Sequence, residues 1–325
     1  MSSLVQAQPT NAQTSAARGR RGTAQPKAVG LANSWLPGAG GPQAPDPKLI
    51  VEAVKQGVIS GGGLPIEFRV LGACHGRCEE QQVFGQMLPT NDLIASSIEL
   101  MVSASQYDGL ILMGACDKYV AGLLKAAASL NLPTILLTGG PFRRSCCASG
   151  DDYVWPNYLS LAAEAIGLSM PGGAAIPCGS VAERLLLGSA AGRAIISLIN
   201  SNLTARQFMT PASFENGARL VASLGGLTSL STYLPSIAAA ADVKLDPRLF
   251  DRLEDSGSLT EQLSFSASDE GFAFWQAGGV PAALRELKSS LRLKTLSVAG
   301  QTAGDLLDDP AAANGQPDRV LSPVA

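Results

Sequence analysis

The chain has 325 residues, 46% hydrophobic and 16% charged, with a formal net charge of −3. That length suits one large or two modest domains with a full core, and the charge balance removes the electrostatic case for a nucleic acid or an anionic membrane as partner. No apolar run is long enough to span a bilayer and no signal-peptide apolar stretch opens the chain, so a cytoplasmic protein is expected.

Residues 1–26 are rich in Ser, Gln, Ala and Thr, with Arg18, Arg20 and Arg21 and no acid. The composition reads as a disordered tail, with some likeness to a transit peptide but without an apolar face. Lys27–Asn33 reads as a first strand leading into Ser34-Trp35, followed by a Gly/Pro-rich loop. Lys48–Ser60 has apolar residues at helical spacing, and Gly61-Gly62-Gly63 ends it. A strand over Ile66–Leu71 follows. Asn91 is placed to cap a helix reaching Gln106, with Leu93, Ile94, Ile98, Leu100 and Met101 as its apolar set. Next come a buried strand at Gly109–Met113, an Ala/Leu-rich helix and a strand at Thr134–Leu137. This βαβαβ order predicts an α/β fold: a parallel sheet flanked by helices. Beyond it the chain turns helical: Asn157–Ile166, Val181–Asn200, a helix from Pro211 to Gly225-Gly226, Leu230–Ala241, Asp246–Leu253 and Ala282–Leu291. The expected division is a tail over 1–26, an α/β domain with this added helical region over 27–300, and a flexible tail over 301–325.

Three consecutive strand ends lead into chemistry-bearing turns. The first is Cys74-His75-Gly76-Arg77-Cys78, the second Cys116-Asp117-Lys118, and the third Gly139-Gly140 with Cys146-Cys147 beyond. Parallel strands place such ends on one rim, where open α/β sheets bind ligands. The helix after Asp117 also turns its positive end to this spot, which favours anions and lowers a thiol pKa. The bland alternative for Cys116-Asp117-Lys118 is a capped helix start with a surface lysine. The chain has six cysteines. In a reducing compartment clustered cysteines point to metal binding, redox chemistry or burial rather than to a disulfide scaffold. Cys178 sits in a Pro-Cys-Gly turn and reads as structural. Gly139-Gly140 reads as a tight turn, Asp151-Asp152 as a solvated loop, and Trp155 and Trp275 as packing residues. There is no G-x-G-x-x-G or P-loop, which leaves nucleotide binding unsupported.

Several stretches, in order, resemble one family: Gly30-Leu31-Ala32-Asn33-Ser34-Trp35; Cys116-Asp117-Lys118 with Leu130-Asn131-Leu132-Pro133 and Gly139-Gly140-Pro141; Glu164-Ala165-Ile166-Gly167-Leu168-Ser169-Met170-Pro171-Gly172; Phe214-Glu215-Asn216 with Leu224-Gly225-Gly226-Leu227-Thr228; and Gly278-Gly279-Val280-Pro281-Ala282. They are similar to the N-terminal domain of the dihydroxy-acid and 6-phosphogluconate dehydratases. The resemblance implies a hydro-lyase that removes water from a hydroxylated acid, sugar-derived or branched-chain, through an enol. It also implies an Fe–S cluster and Mg²⁺. On it, Cys116 matches a cluster ligand, Asp117 a Mg²⁺ ligand, and Lys118 the lysine that becomes carbamylated and binds Mg²⁺.

The chain departs from that pattern. The loop Leu36-Pro37-Gly38-Ala39-Gly40-Gly41-Pro42-Gln43 has no cysteine where the family has its first cluster ligand. Cys74-His75 stands where the family has its first Mg²⁺ aspartate. The third cluster position falls near Gly150, with Cys146 and Cys147 just upstream. The family's second domain, which carries its catalytic serine, lies beyond the matched stretches. Three readings stay open. In the first, Cys116 joins Cys74 or Cys78 and Cys146 or Cys147 in a rewired Fe–S or Zn²⁺ site, with His75 a ligand or base and Lys118 the other candidate catalytic group. In the second, the cysteines are buried relics in a non-catalytic interaction protein. In the third, Cys74, Cys78, Cys146 and Cys147 form a metal-binding or redox-sensing module. A partner chain supplying the second domain is expected, as is a homo- or hetero-oligomer.

Overall fold

The computed structural model describes residues 26–34, 46–70, 90–141, 157–255 and 270–309. Among these residues four strands form one all-parallel sheet in the order β2-β1-β3-β4. They are β1 (Lys27–Asn33), β2 (Gly63–Arg69), β3 (Gly109–Gly114) and β4 (Thr134–Thr138). Helices α1 (Pro47–Ser60), α2 (Thr90–Ser105) and α3 (Asp117–Leu130) make the crossovers. Central β3 and the edge strand β4 are both buried along their whole length, as a sheet covered on both faces requires. The α/β expectation therefore holds, and all four carboxyl ends lie on one rim.

Among the described residues nine further helices follow: α4 (Tyr158–Ile166), α5 (Val181–Asn200), α6 (Ala205–Phe208), α7 (Pro211–Ser223), α8 (Leu227–Ala240), α9 (Leu249–Asp255), α10 (Glu270–Gln276), α11 (Gly279–Glu286) and α12 (Ala303–Asp308). Residues 301–309 belong to the fold, where the sequence reading places the start of a tail. Thr302 caps α12 through the Asp305 amide, and Arg285 of α11 donates to the Leu307 carbonyl at 3.1 Å.

Two packing details differ from the sequence expectation. Helix α2 buries Ile94, Ala95, Ile98 and Val102, whereas Leu93 and Leu100 are 54% and 72% exposed. The cause is α3: a Cβ on Gly122 would lie 2.8 Å from Ile94, so the helices meet along the Ile94 stripe and the Leu93 side is left outside. Helix α8 starts at Leu227 and continues through Pro235, where the pattern placed its start at Leu230.

Helices α1 and α5 cross at backbone contact. A Cβ on Gly192 would lie 2.6 Å from the Val58 amide nitrogen and closer still to the Val54 carbonyl.

Two buried charges organise the chain between α4 and α5. Glu164, near the end of α4, accepts the Gly172 and Ala174 amides at 2.6 and 2.9 Å. Burial pushes its carboxyl from the ordinary 4.5 to about 7, against the pull of those two amides. Arg184, in the first turn of α5, is 2% exposed. It donates to the Thr138 carbonyl at the end of β4 and to the Ile176 and Pro177 carbonyls. Burial lowers its pKa to about 10, against the neighbouring Cys178 thiol. Among the described residues neither charge has an ion-pair partner. A neutral segment holds both, its N–H groups turned to the acid and its carbonyls to the base. Asn216 of α7 acts in the same manner on the far side: it accepts the Arg292 amide at 2.8 Å and donates to the Arg292 carbonyl at 3.1 Å and to Thr295 Oγ1 at 3.2 Å.

Gly192→Ala is expected to overpack the α1–α5 crossing and cost about 1–3 kcal/mol; urea unfolding with an unchanged slope checks it. Glu164 keeps its proton to about 7 when folded but only to about 4.5 when unfolded, so between those values the folded state binds more protons. Stability should therefore fall as pH rises through that window, with Glu164 contributing at most about 3 kcal/mol. Urea titrations from about pH 5 to about pH 8 should show the fall, and Glu164→Gln should flatten it.

Candidate active site at the carboxyl rim of the sheet

The site grows from the end of β3. Gly114 has no room for a side chain: a Cβ there would come 2.7 Å from Leu123 Cδ1 and 3.0 Å from Ser34 Oγ. Ser34, just past β1, donates its amide and hydroxyl to the Met113 carbonyl at 3.0 and 2.6 Å and so ties the β1 end to the β3 end. On the other side Gly139, just past β4, abuts Ala115, where a Cβ would sit 2.6 Å from the Ala115 Cβ. Cys116 is thus held between two strand ends.

Cys116 is the N-cap residue of α3, with extended backbone (φ −113°, ψ 148°) and no capping bond from its side chain. Asp117 opens the helix and is half-buried. Its carboxylate accepts the Leu159 amide at 3.2 Å from the first turn of α4. The N-terminal ends of α3 and α4 therefore both meet Asp117, and Asn157, which caps α4 by accepting the Ser160 amide, donates from its side chain toward the Ala115 carbonyl at 3.5 Å. Two positive helix ends suit a carboxylate or a bound anion. Burial nonetheless pushes the Asp117 carboxyl from 3.8 up to about 6, with the Leu159 amide pulling the other way. Partial burial lowers the pKa of the adjacent Lys118 amine, and the Cys116 thiol opposes that shift.

The structure thus keeps Cys116, Asp117 and Lys118 together on the rim. Cys74, His75, Cys78, Cys146 and Cys147 lie outside the described residues. Cys178 sits beyond the β4 turn, where its amide donates to the Pro141 carbonyl at 2.8 Å. Among the described residues no group of three or more His, Cys, Asp or Glu side chains is placed to hold a metal ion. Trp275 packs against Phe272 with ring centroids 5.4 Å apart, in keeping with a packing role. No helix of the described residues is long and apolar enough to cross a membrane.

Sequence reading missed Tyr233. It sits half-buried on α8, which packs against α3. Burial raises its hydroxyl pKa, and the charges of Asp117 and Cys116 raise it further. Its position in an Ala-rich helix distant in sequence gives no local signal; only the packing of α8 on α3 brings it to the rim.

A sequence profile of the dihydroxy-acid/6-phosphogluconate dehydratase N-terminal family matches residues 27–158 and 156–306. Among similar proteins, the dihydroxy-acid dehydratase of Methanothrix thermoacetophila is 34% identical over 290 residues, which cover 79% of this chain and 53% of that protein. The dihydroxy-acid dehydratase of Caldicellulosiruptor bescii is 31% identical over 315 residues, 85% of this chain and 56% of its own length. That of Carboxydothermus hydrogenoformans is 32% identical over 317 residues, 85% and 57%. The chain thus spans about half the length of the curated relatives it matches. With the Cys-Asp-Lys turn on the rim of a parallel sheet and matches along most of the chain, this protein belongs to the dihydroxy-acid/6-phosphogluconate dehydratase N-terminal family.

Proposed function

We propose that the chain is a dehydratase, or a component of one, that removes water from a hydroxylated acid at the Cys116-Asp117-Lys118 turn. The observation that carries this reading is the meeting of the α3 and α4 N-terminal ends at Asp117, with a thiol and an amine on either side. Such a rim offers a substrate carboxylate two positive helix ends, and offers a reacting carbon a base. The chemistry is a loss of H from C2 and OH from C3, giving an enol that becomes the 2-keto acid. In this reading the Lys118 amine, made less basic by partial burial, takes the C2 proton as the C3–O bond breaks and returns it to the departing hydroxyl. Tyr233 lies on α8, within electrostatic reach of Asp117 and Cys116.

The resident groups that the family implies fare differently against the described donors. An Fe–S cluster needs three or four thiolates. Among the described residues Cys116 alone brings a thiol to the turn, so these residues do not form a cluster site. Mg²⁺ usually takes one or two carboxylates together with waters and substrate oxygens, and that donor set fits Asp117, with Lys118 beside it. When bound there, Mg²⁺ would supply positive charge to the carboxylate end of the substrate. Because the chain spans about half of each relative, the proposal includes a second polypeptide unit, in cis or from a partner chain, that completes the site.

The test is an anaerobic assay of 2,3-dihydroxy acids for 2-keto acid formation, with Mg²⁺, alone and with a lysate fraction of the source organism as donor of a second unit. Turnover should fall at least about 100-fold in Asp117→Asn and Lys118→Ala, and EDTA should abolish it until Mg²⁺ is returned. Turnover unchanged by both substitutions, or no keto acid under any of these conditions, would overturn the proposal. The rival reading, a non-catalytic interaction protein that keeps the fold, draws on the apolar Leu93 and Leu100 that α2 leaves exposed. It expects no turnover and unchanged partner binding in Asp117→Asn.

A further inference from the structure

The polar contacts around the rim close into a ring. Asp117 accepts the Leu159 amide at the start of α4. Glu164, near the other end of α4, accepts the Gly172 and Ala174 amides. The carbonyls that follow, of Ile176 and Pro177, accept from Arg184. The same guanidinium donates to Thr138 at the end of β4. Gly140, at φ +67°, leaves the place where its Cβ would meet the Arg184 Nη2 and the Ile176 carbonyl. Gly139 then presses on Ala115, which leads back to Cys116 and Asp117.

A buried charge without a counter-charge is costly, and folded proteins pair such charges or use them on a metal. Here both the acid and the base are spent on the backbone of one short segment and on the end of β4. Packing alone gives no reason for this, because an apolar side chain of similar volume would fill either position without the desolvation penalty. A planar, forked donor that bonds three carbonyls in two chain segments does what an apolar side chain cannot: it fixes the distance and angle between them.

We propose that Arg184 and Glu164 are positioning residues for the Cys116-Asp117-Lys118 turn, acting through segment 172–177 and the Gly139-Gly140 turn. Arg184 sets the β4 end against Ala115, and Glu164 sets α4, and with it the Leu159 amide that holds Asp117. Neither residue touches the turn. The inference takes from the proposed function only that this turn is the site, and its test needs no turnover.

The experiment measures the rate at which iodoacetamide alkylates Cys116 in the full-length chain as purified, read by peptide mass spectrometry so that the other five thiols are resolved. Arg184→Lys keeps the charge and loses the fork; the Cys116 rate should rise by about three- to tenfold with the far-UV spectrum unchanged. Glu164→Gln should raise the same rate and speed hydrogen exchange in the peptide spanning 170–176. The double variant should exceed the larger single effect by little, because the two act through one segment. Leu198→Ala, buried at the other end of α5, is the control for general loosening and should leave the Cys116 rate unchanged. A Cys116 rate in Arg184→Lys equal to that of the parent protein would overturn the proposal, as would an equal rise in Leu198→Ala. Should Arg184→Lys fail to fold, Glu164→Gln alone decides, on the same two readings. Loss of the dehydratase reading would leave these rates as they are.

Discussion

The Asp117 carboxylate joins the two parts of this protein. It belongs to the helix that leaves the central strand, and it accepts an amide from the first turn of the helical region. A carboxylate at that point is favoured by two helix N-termini and disfavoured by burial, and burial prevails. A residue held in such balance is easily shifted by a bound cation or anion.

The surrounding design uses peptide groups where other proteins use ion pairs. Glu164 binds amides, Arg184 binds carbonyls, and Asn216 binds both from one side chain. Each buried polar side chain thereby fixes irregular backbone, and Arg184 ties it to the end of β4. Segment 172–177 contains only a single 3₁₀ turn, Gly173–Ala175. Left to local propensity it would have many conformations. With its N–H groups committed to an acid and its carbonyls to a base it has one, and the desolvation penalty of both charges is offset only if that one conformation forms. The same logic explains why the stretches that carry the family resemblance include Glu164 to Gly172 and Phe214 to Asn216. In this structure those residues are staples of irregular backbone, whereas the Cys116-Asp117-Lys118 stretch lies on the rim.

Much of the architecture is legible from local patterns because those patterns act locally. The buried run Gly109–Met113, the Asn157 cap and the Pro211 helix start each depend on a few neighbouring residues, and each appears within a residue or two of where the pattern places it. The apolar face of α2 was less legible. Leu93, Leu100 and Met101 fit a helical stripe as well as Ala95 and Val102 do. The choice between stripes is made by Gly122 on a different helix, which admits Ile94. Tyr233 and Arg184 were invisible for the same reason: a tyrosine in an Ala-rich helix and an arginine in a helix's first turn look like surface residues until the neighbouring elements close over them.

By itself the sequence determined the alternation of strands and helices, the parallel sheet, the rim turn with its thiol, carboxylate and amine, and the family. These follow from periodicity, turn chemistry and ordered motifs, all of which are properties of contiguous residues. Only the tertiary structure decided which helix end faces Asp117, which hydroxyl feels its charge, and how an unpaired acid and an unpaired base hold the turn in place. Those outcomes depend on desolvation and on hydrogen bonds between residues as far apart as Thr138 and Arg184, and the cost of burying a charge exists only once the chain has closed around it.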